Sequence, residues 1–376
     1  MISFSQMKER NPFVIYGYEG PDTFCDREEE TLRLENAIAN GRNVTLLAER
    51  RIGKTGLISH CFADLSKKGE FACIYVDVFA TSNLAEFTTR LASAIVGSLD
   101  SRIDKALDAA ARFFKSFRPG ITVDHVTGAS TFSFALQPQA VETTLKECFS
   151  YLAGRGDCVV AIDEFQQNAG YPEKGVEALL RSYIQFMPHT RFIFAGSRHH
   201  MMMEMFSSAK RPFFNSTQTI PLERIAPGKY LDFARRHMAS AGVSIEPEAF
   251  SLIYSLFDGI TWYVQLVLNR LYERRSATES DVRNVVDELI AEKSWEFAAL
   301  LKSVPDGSAR LLKAVAKEGK VKEPTSGEFI MRHSLRGSSS VHLSLRTLVN
   351  DELLYCGDDG YVVYDRLFGF WLARLP

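Results

Sequence analysis

Apolar runs alternate with amphipathic stretches through the first half of the chain. The apolar runs are short and rich in β-branched and aromatic residues, which is typical of strands covered on both faces of a parallel sheet. The predicted strands are Asn43–Ala48, Ala72–Asp77, Cys158–Asp163 and Arg191–Ala195. The predicted helices that precede or separate them are Arg27–Asn40, Lys54–Leu65, Asn83–Leu99 and Val176–Met187. This alternation predicts an α/β domain built on a parallel sheet.

An insertion, 100–139, interrupts the alternation. It contains the basic and aromatic run Arg112–Arg118, with Phe113, Phe114 and Phe117 inside it. These phenylalanines suit either contact with a protein partner or packing in a core, so the role of the insertion stays open. A β-hairpin is also predicted here, with its strands and turn at Ile121–Val126, Ser130–Ala135 and Thr127–Gly128.

Helices without intervening strands follow from about Pro227. Thr278 and Asp281 have the spacing of a capping box, which predicts a helix that starts there. The predicted helices of this region are Leu231–Ala241, Glu246–Phe257, Trp262–Tyr272 and Thr278–Glu292.

The last part of the chain, from about Val304, has a pattern of its own. A turn signal at Asp358–Gly360 lies between two β-rich runs and predicts a hairpin. The helices predicted before it are Ser308–Glu318, Ser326–Leu335 and Ser338–Asn350. Three helices followed by a β-wing describe a winged helix. We therefore expect three domains, with bounds at 1–225 (including the insertion), 226–300 and 301–376.

Composition narrows the class of protein. The 376 residues suit roughly two or three domains, and 46% hydrophobic with 24% charged residues is usual for a globular chain. A net charge of −2 gives no chain-wide attraction to nucleic acid or anionic membranes. No run approaches the ~18 apolar residues of a membrane span, and the N-terminus lacks an apolar signal core. Because the six cysteines are also scattered, we expect a cytoplasmic protein with reduced thiols and no membrane association.

The segment Ala48–Thr55 has the pattern that binds nucleotide phosphates. Such a P-loop needs a strand before it, backbone N–H groups around the phosphate, a lysine, a Ser or Thr for Mg²⁺, and a helix after it. Gly53, Lys54 and Thr55 meet these needs between a predicted strand and a predicted helix. The alternative, a lysine on an exposed turn, does not account for the flanking elements. The predicted nucleotide-binding residues are Glu49, Arg50, Arg51, Ile52, Gly53, Lys54, Thr55 and Gly56.

Two acids, Asp163 and Glu164, follow the apolar run that starts at Val159. In phosphoryl-transfer sites the first such acid holds Mg²⁺ and the second orients the attacking water. An Asp-Glu pair is also common at a helix start, but its place after the P-loop favours the chemical interpretation. The sequence therefore predicts Thr55 and Asp163 as ligands of Mg²⁺ and Glu164 as the residue that polarises water.

The fourth predicted strand is followed by Ser197 and Arg198. The serine hydroxyl could sense the γ-phosphate, and the arginine could neutralise phosphate charge in cis or across a subunit interface. An exposed loop arginine is the open alternative. Arg50 and Arg51 likewise could contact phosphate or pair with an acid of a neighbouring element. The predicted catalytic residues are Lys54, Asp163, Glu164, Ser197 and Arg198.

A pair of histidines, His199 and His200, comes next in the chain. Zinc sites combine histidine with Cys or acidic ligands, and no cluster of such residues lies close by in the sequence. We therefore predict that both are surface residues.

Several further motifs, none specific alone, together carry a family resemblance. They are Asn11–Phe13, Phe24–Glu28, Arg50–Thr55, Ile162–Gln166, Gly196–Ser197, Pro212–Phe214, Pro227 and Tyr361–Trp371. With these motifs the chain resembles the archaeal-type ATPases, P-loop proteins of the AAA+/STAND group found in archaea and many bacteria. Two positions depart from the family pattern: Ala48 stands in place of its usual glycine and Thr261 in place of its usual proline.

The resemblance implies a fold class and a ligand. The fold is a P-loop NTPase core with a parallel sheet, followed by an all-α lid and a winged-helix domain, and the ligands are ATP or ADP with Mg²⁺. The resemblance also places Phe24, Asp26 and Arg27 beside the adenine, and brings Pro227 from the lid to the same pocket.

Three functions remain as hypotheses. The first is a Mg²⁺-dependent ATPase, slow or activated by a partner, that works as a conformational switch. GTP is disfavoured because the chain has no Asn/Thr-Lys-x-Asp run. The second is a nucleotide-gated DNA-binding regulator, although residues 301–376 carry 11 Lys and Arg against 9 Asp and Glu. The third is a scaffold for an unidentified protein partner or for self-association. On the candidate DNA-reading helix, Ser339, His342 and Arg346 are predicted to face outward and Val341, Leu345 and Leu348 inward.

Overall fold

In the computed structural model the described residues are 10–98, 118–123, 130–135, 140–357 and 359–376, and for 118–123 and 130–135 only the backbone is described. The chain divides into two compact units. The core unit comprises Pro12–Phe233 and Ile260–Gln265. The C-terminal unit comprises Ala234–Gly259 and Leu266–Pro376, with Asn11. The three predicted domain bounds stay a prediction.

The elements follow one another in the order that the hydrophobic pattern indicates. The strands are β1 Val44–Ala48, β2 Ala72–Asp77, β3 Arg118–Val123, β4 Ser130–Ala135, β5 Cys158–Asp163, β6 Thr190–Gly196, β7 Gln218–Leu222, β8 Leu354–Gly357 and β9 Gly360–Val363. The helices are α1 Glu28–Ala39, α2 Lys54–Lys68, α3 Leu84–Gly97, α4 Val141–Arg155, α5 Val176–Ile184, α6 His199–Ser207, α7 Pro227–Ser240, α8 Pro247–Leu256, α9 Thr261–Arg274, α10 Glu279–Glu292, α11 Ser294–Ser303, α12 Asp306–Glu318, α13 Gly327–Arg332, α14 Ser338–Asn350 and α15 Arg366–Ala373.

The core unit is built on a parallel sheet, which confirms the predicted α/β class. Its described strands lie in the order β2-β5-β6-β1-β7, and every neighbouring pair is parallel. The residues of β1 and β5 are buried along their whole length. Because β6 lies between β1 and β5, the carboxyl ends of these three strands meet at one edge, where ligands of open α/β sheets bind.

The edge strand β7 is one element that the sequence does not predict. Only Ile220 and Leu222 of this strand are buried, so its apolar pattern is weak. Pro221 also interrupts the run, and proline is tolerated at a sheet edge because one of its sides needs no hydrogen bond.

A cluster of aromatic side chains fixes the ends of β5 and β6. Phe165 lies directly after the two acids and is fully buried. Its ring centroid is 4.6 Å from that of Phe194, 5.9 Å from Phe206 and 5.3 Å from Phe213. Aromatic pairs at such separations add to the stabilisation from burial. The backbone that carries Asp163 and Glu164 is thereby anchored in the hydrophobic core.

The hairpin pairing predicted in the insertion is confirmed, because β3 and β4 pair in antiparallel register. β3 begins at Arg118, before the predicted start at Ile121. The predicted turn at Thr127–Gly128 lies outside the described residues. The same is true of Phe113, Phe114 and Phe117.

The helices predicted from Pro227 onward are present as α7 to α10 and α12 to α14. At the start of α10, Thr278 and Asp281 form the predicted capping box. Two further helices, α11 and α15, are not predicted from the sequence. Asp365 caps α15 by accepting hydrogen bonds from the N–H groups of Leu367 and Phe368, and an aspartate before an apolar run is a helix-start signal that could have revealed it.

The winged-helix pattern is present in the C-terminal unit. Helices α12, α13 and α14 precede the antiparallel pair β8 and β9, and β9 is bridged to Val321. The predicted facing of α14 is also confirmed: Val341, Leu345 and Leu348 are buried, whereas Ser339, His342 and Arg346 are exposed.

Among the described helices, none is both long enough and apolar enough to cross a membrane. All six cysteines are free thiols.

Candidate nucleotide-binding site

The loop between β1 and α2 has the backbone that an anion site needs. Gly53 precedes the helix with φ 102°, a left-handed conformation that favours glycine. As the N-cap residue of α2, Gly53 has no side chain that could accept hydrogen bonds from the N–H groups of the first turn. A helix start with free N–H groups and a positive dipole end attracts phosphate.

Lys54 lies between the two acids of β5. Its Nζ is 2.9 Å from Oδ1 of Asp163 and 2.9 Å from Oε1 of Glu164. The lysine is only 8% exposed, so the three charges interact with little screening by solvent. Beside it, Oγ1 of Thr55 donates a hydrogen bond of 2.9 Å to Oδ2 of Asp163. The structure thus brings together four of the predicted site residues from two separate motifs.

Glu164 is held from a second side by residues at the end of β6 and after β5. Its backbone has φ 58°, a left-handed conformation that is uncommon for a residue with a side chain. Ser197 donates to Oε2 of Glu164 through Oγ at 2.7 Å. Gln166 donates to the same oxygen through Nε2 at 2.6 Å. Ser197 thus contacts Glu164, and its role as a sensor of the γ-phosphate stays a prediction. Gln166, for which the sequence predicts no role, contacts the same carboxylate.

Both carboxyl groups are kept ionised. Burial alone would raise the pKa of Asp163, but the charge of Lys54 and hydrogen bonds from Lys54, Tyr75 and Thr55 bring it below its ordinary value. Burial likewise opposes ionisation of Glu164, and the charge of Lys54 with hydrogen bonds from Gln166, Lys54 and Ser197 lowers its pKa. Two anionic groups with one buried cation between them are suited to hold a divalent metal or a polarised water.

Tyr75 also contacts the acids and was not predicted. Its hydroxyl donates a 2.7 Å hydrogen bond to Oδ2 of Asp163. Tyr75 is two residues before Asp77, which is aligned with Asp163 in the β2–β5 pair. The period of two along a strand puts Tyr75 and Asp77 on one face, which is the signal that could have found it.

A cavity of about 360 Å³ opens beside the loop, entirely within the core unit. One wall is aromatic: the Phe24 ring stacks on His60 at 4.6 Å, and the Tyr18 hydroxyl is 2.8 Å from Nδ1 of His60. A Cβ at Gly56 would lie 3.3 Å from the Phe24 ring, so this glycine lets the ring approach the first turn of α2. Phe24 was predicted here; Tyr18 and His60 were not.

The start of α9 packs on the phosphate-binding loop. Thr261 donates through Oγ1 to the Ile52 carbonyl at 2.9 Å, and the Trp262 N–H donates to the Arg51 carbonyl at 3.0 Å. The Arg51 guanidinium lies 4.7 Å from the Trp262 ring centroid and donates a hydrogen bond to the Tyr263 hydroxyl. A cation over an aromatic face is attracted by the ring quadrupole. The aromatic residues of α9 thus contact Arg51. The sequence predicts either a phosphate contact or an ion pair for this arginine, and not this aromatic contact.

Other predicted residues lie around the cavity. Arg27 is 3% exposed and donates to the Ile52 carbonyl at 3.3 Å. Arg50 is exposed at the cavity rim, with its guanidinium 5.8 Å from the Phe79 ring centroid. Glu49, also in the lining, pairs with Arg224 at 3.0 Å.

Four predicted residues do not line the cavity. One of them, Asp163, contacts Lys54 and Thr55, which do line it. Asp26 is turned to Lys229, whose Nζ is 2.8 Å away. Arg198 is exposed, with Nη1 at 3.9 Å from Sδ of Met201. Pro227 is exposed at the first position of α7, and Ile225 lines the cavity instead.

His199 and His200 are exposed, as predicted. Within the part of the chain that the structure describes, no group of three or more His, Cys, Asp or Glu residues is arranged to hold a metal.

Residues 24–267 match the model of a family described as an ATPase domain predominantly from Archaea. The chain belongs to this family. A second model, described as a probable winged helix domain, matches residues 295–374. No curated protein sequence matches the chain. The P-loop, both acids and Ser197 all lie within the region of this ATPase-family protein that the family model matches.

Solved structures share the fold at low sequence identity. A Walker-type ATPase of Pyrococcus abyssi is similar with a TM-score of 0.65 and 16% identity, over 96% of this chain and 99% of that chain. The ORC2 protein of Aeropyrum pernix, in ADPNP and ADP complexes, has a TM-score of 0.58 and 16% identity, over 97% and 96%. The ORC1 protein of Aeropyrum pernix, in complex with DNA, has a TM-score of 0.54 and 15% identity, over 97% and 96%. The predicted fold class, a P-loop core with a helical region and a winged helix, is confirmed.

Proposed function

We propose that this ATPase-family protein hydrolyses ATP to ADP and phosphate with Mg²⁺ at the site formed by the P-loop and the two acids. The observation that carries the proposal is the position of the Lys54 ammonium, 2.9 Å from one oxygen of each acid, beside the Thr55–Asp163 hydrogen bond. A buried lysine, a hydroxyl and two carboxylates at a helix start form the set of groups that phosphoryl transfer uses.

The residues present fit Mg²⁺. Thr55 and Asp163 supply a hydroxyl and a carboxylate oxygen that already meet at 2.9 Å, and hard oxygen ligands are what Mg²⁺ prefers. These two residues would hold the ion, directly or through water. When bound, Mg²⁺ neutralises charge on the phosphates.

Each protein group then has a defined task. The N–H groups at the start of α2 bind phosphate oxygens, and Lys54 adds a positive charge next to them. Glu164 orients a water molecule for attack and accepts its proton. Ser197 holds the Glu164 carboxylate in place. Phe24, with His60 behind it, offers a flat apolar surface for the adenine ring.

We further propose that the bound nucleotide is sensed by α9, as a conformational switch requires. Thr261 and Trp262 bond to the carbonyls of Ile52 and Arg51, so a change in the phosphate-binding loop changes the contacts of the first turn of α9. In this proposal α9 belongs to a helical lid between residues 226 and 300, which responds to the nucleotide.

Ligand-induced stabilisation tests the binding part of the proposal. ATP or ADP with Mg²⁺ is expected to raise the melting temperature by about 5 °C at a hundredfold excess over Kd, because a ligand that binds only the folded state stabilises it. Chelation with EDTA is expected to reduce the shift for ATP. A melting temperature that is the same with and without nucleotide would contradict the proposal.

DNA binding is a second candidate function, favoured by the winged-helix match at residues 295–374. The exposed positions Ser339, His342 and Arg346 on α14 could read a groove. Leu343 on the same helix is 68% exposed, however, and the excess of only two basic residues in 301–376 suits a protein contact equally well.

Salt dependence distinguishes these two uses of the winged helix. If DNA is the partner, the full chain is expected to bind duplex DNA with an affinity that falls as salt rises, and Arg346→Ala is expected to weaken that binding. Fluorescence anisotropy with a labelled duplex measures both effects. Absence of salt-sensitive binding would eliminate the DNA function.

A further inference from the structure

Gln166 is a buried polar residue next to the acids, and the mechanism above assigns it no task. Its side chain is 2% exposed, and Nε2 lies 2.6 Å from Oε2 of Glu164. A buried amide that points at a carboxylate is costly to place unless the contact is satisfied. The contact with Glu164 satisfies the amide donor and links Gln166 directly to the second acid of the site.

The hydrogen-bond donors around Glu164 are distributed unequally between its two carboxylate oxygens. Oε2 accepts from Gln166 Nε2 at 2.6 Å, from Ser197 Oγ at 2.7 Å and from the Ser197 N–H at 3.3 Å. Oε1 faces the Lys54 ammonium at 2.9 Å. Three donors saturate one oxygen and fix the rotation of the carboxylate, which leaves the other oxygen on the phosphate side.

The opposite end of the Gln166 amide shows why its orientation is fixed. Oε1 of Gln166 is buried, and none of the described residues donates a hydrogen bond to it. It lies over Gly196, where an added Cβ would come within 2.1 Å of that oxygen and 2.6 Å of Met202 Sδ. Turning the amide round would place its oxygen against an ionised carboxylate, which repels it. The packing and the charge of Glu164 thus select one orientation, at the cost of an unsatisfied oxygen.

We infer that Gln166 is a positioning residue for ATP hydrolysis, because its amide holds Oε2 of Glu164 and thereby presents Oε1 to the attacking water. This inference rests on the proposed function. Gln166 does not touch the reacting atoms in this scheme; it acts through Glu164. Its removal should therefore slow the chemical step and leave nucleotide binding unchanged.

Gln166→Met tests the inference, because methionine keeps the length and volume of glutamine and removes the donor. The expected result is a kcat lower by about tenfold, the value of one charge-assisted hydrogen bond, with KM for ATP changed by less than about twofold. Gln167→Met is the matched control: it is the same substitution at the next residue, which is only half-buried, and it should keep the wild-type kcat.

A double-mutant cycle with Glu164→Gln separates positioning from a merely structural role. If Gln166 acts through Glu164, Gln166→Met should have little further effect on kcat in the Glu164→Gln background. Equal losses in both backgrounds, or an unchanged kcat in the wild-type background, would overturn the inference. Should Gln166→Met fail to fold, Gln166→Asn keeps the amide but is too short to reach Glu164, and the same results are expected of it.

Turnover by the wild type distinguishes failure of the role of Gln166 from failure of the proposed function. Wild-type turnover together with an unchanged kcat in Gln166→Met overturns only the role of Gln166. Absence of ADP formation by the wild type, despite nucleotide binding, overturns the proposed function and the role of Gln166 with it.

Discussion

Glu164→Gln is expected to lower kcat for ATP hydrolysis by two to three orders of magnitude, the usual contribution of a group that accepts the proton of an attacking nucleophile. Glutamine keeps the size of the side chain but cannot accept a proton. ATP affinity should be kept, because Lys54 and the N–H groups of α2 are unchanged. The result would be a protein that binds ATP and holds it. Phosphate release in steady state and fluorescent-nucleotide titration measure the two quantities.

The control for this variant is Glu223→Gln, the same change at an exposed position of the core unit. It should match the wild type in both measurements. If Glu164→Gln hydrolyses ATP as fast as the wild type, Glu164 is not the residue that orients water, and its contacts with Lys54, Gln166 and Ser197 serve the fold alone.

Lys54→Ala is expected to weaken ATP binding by about tenfold to a hundredfold or more, and to abolish measurable turnover. A charge-assisted hydrogen bond to phosphate contributes about 1.5–3 kcal/mol, and each 1.4 kcal/mol is a factor of ten in affinity. The change also leaves Asp163 and Glu164 without the cation that lies 2.9 Å from each. Their uncompensated negative charge should then further disfavour a negatively charged ligand. Isothermal titration with ATP and Mg²⁺ gives the affinity directly.

Two controls accompany this variant. Lys54→Arg keeps a positive charge between the acids and therefore the fold, but the broad guanidinium does not replace a compact ammonium in a phosphate loop, so turnover should still be lost. Lys210→Ala, at an exposed position, should change nothing. Wild-type ATP affinity in Lys54→Ala would show that the nucleotide binds elsewhere.

The parallel core could be predicted because its strands have a strong signal. Strands such as β1 and β5 are buried at every position and almost entirely apolar. Asp163 ends β5, Ser197 follows β6 directly, and Lys54 follows β1 after a short loop. Residues at the carboxyl ends of parallel strands converge at one edge of the sheet, so their meeting follows from the strand assignments. The edge strand β7 has only alternate buried residues and a proline, which is why it could not be found in the same way.

The contacts that complete the site could not be predicted, because they depend on side chains from distant parts of the chain. His60 faces Phe24 from the second turn of α2, and nothing in its local sequence distinguishes it from a surface residue. Trp262 and Tyr263 contact the guanidinium of Arg51, although these residues are far from Arg51 in the sequence. The family resemblance placed Pro227 in the pocket, whereas Ile225, two residues earlier, lines it.

Direct detection of ADP from ATP is the measurement that tests the central claim. Purified full-length protein is incubated with ATP and Mg²⁺, and ADP and phosphate are quantified over time, with EDTA-treated and Lys54→Ala samples alongside. The proposed site predicts equal amounts of ADP and phosphate from the wild type, and neither product above background from the two comparison samples. ATP that is bound by the wild type but never converted to ADP, or conversion that persists in Lys54→Ala, would contradict the claim that Lys54, Asp163 and Glu164 form a hydrolytic site.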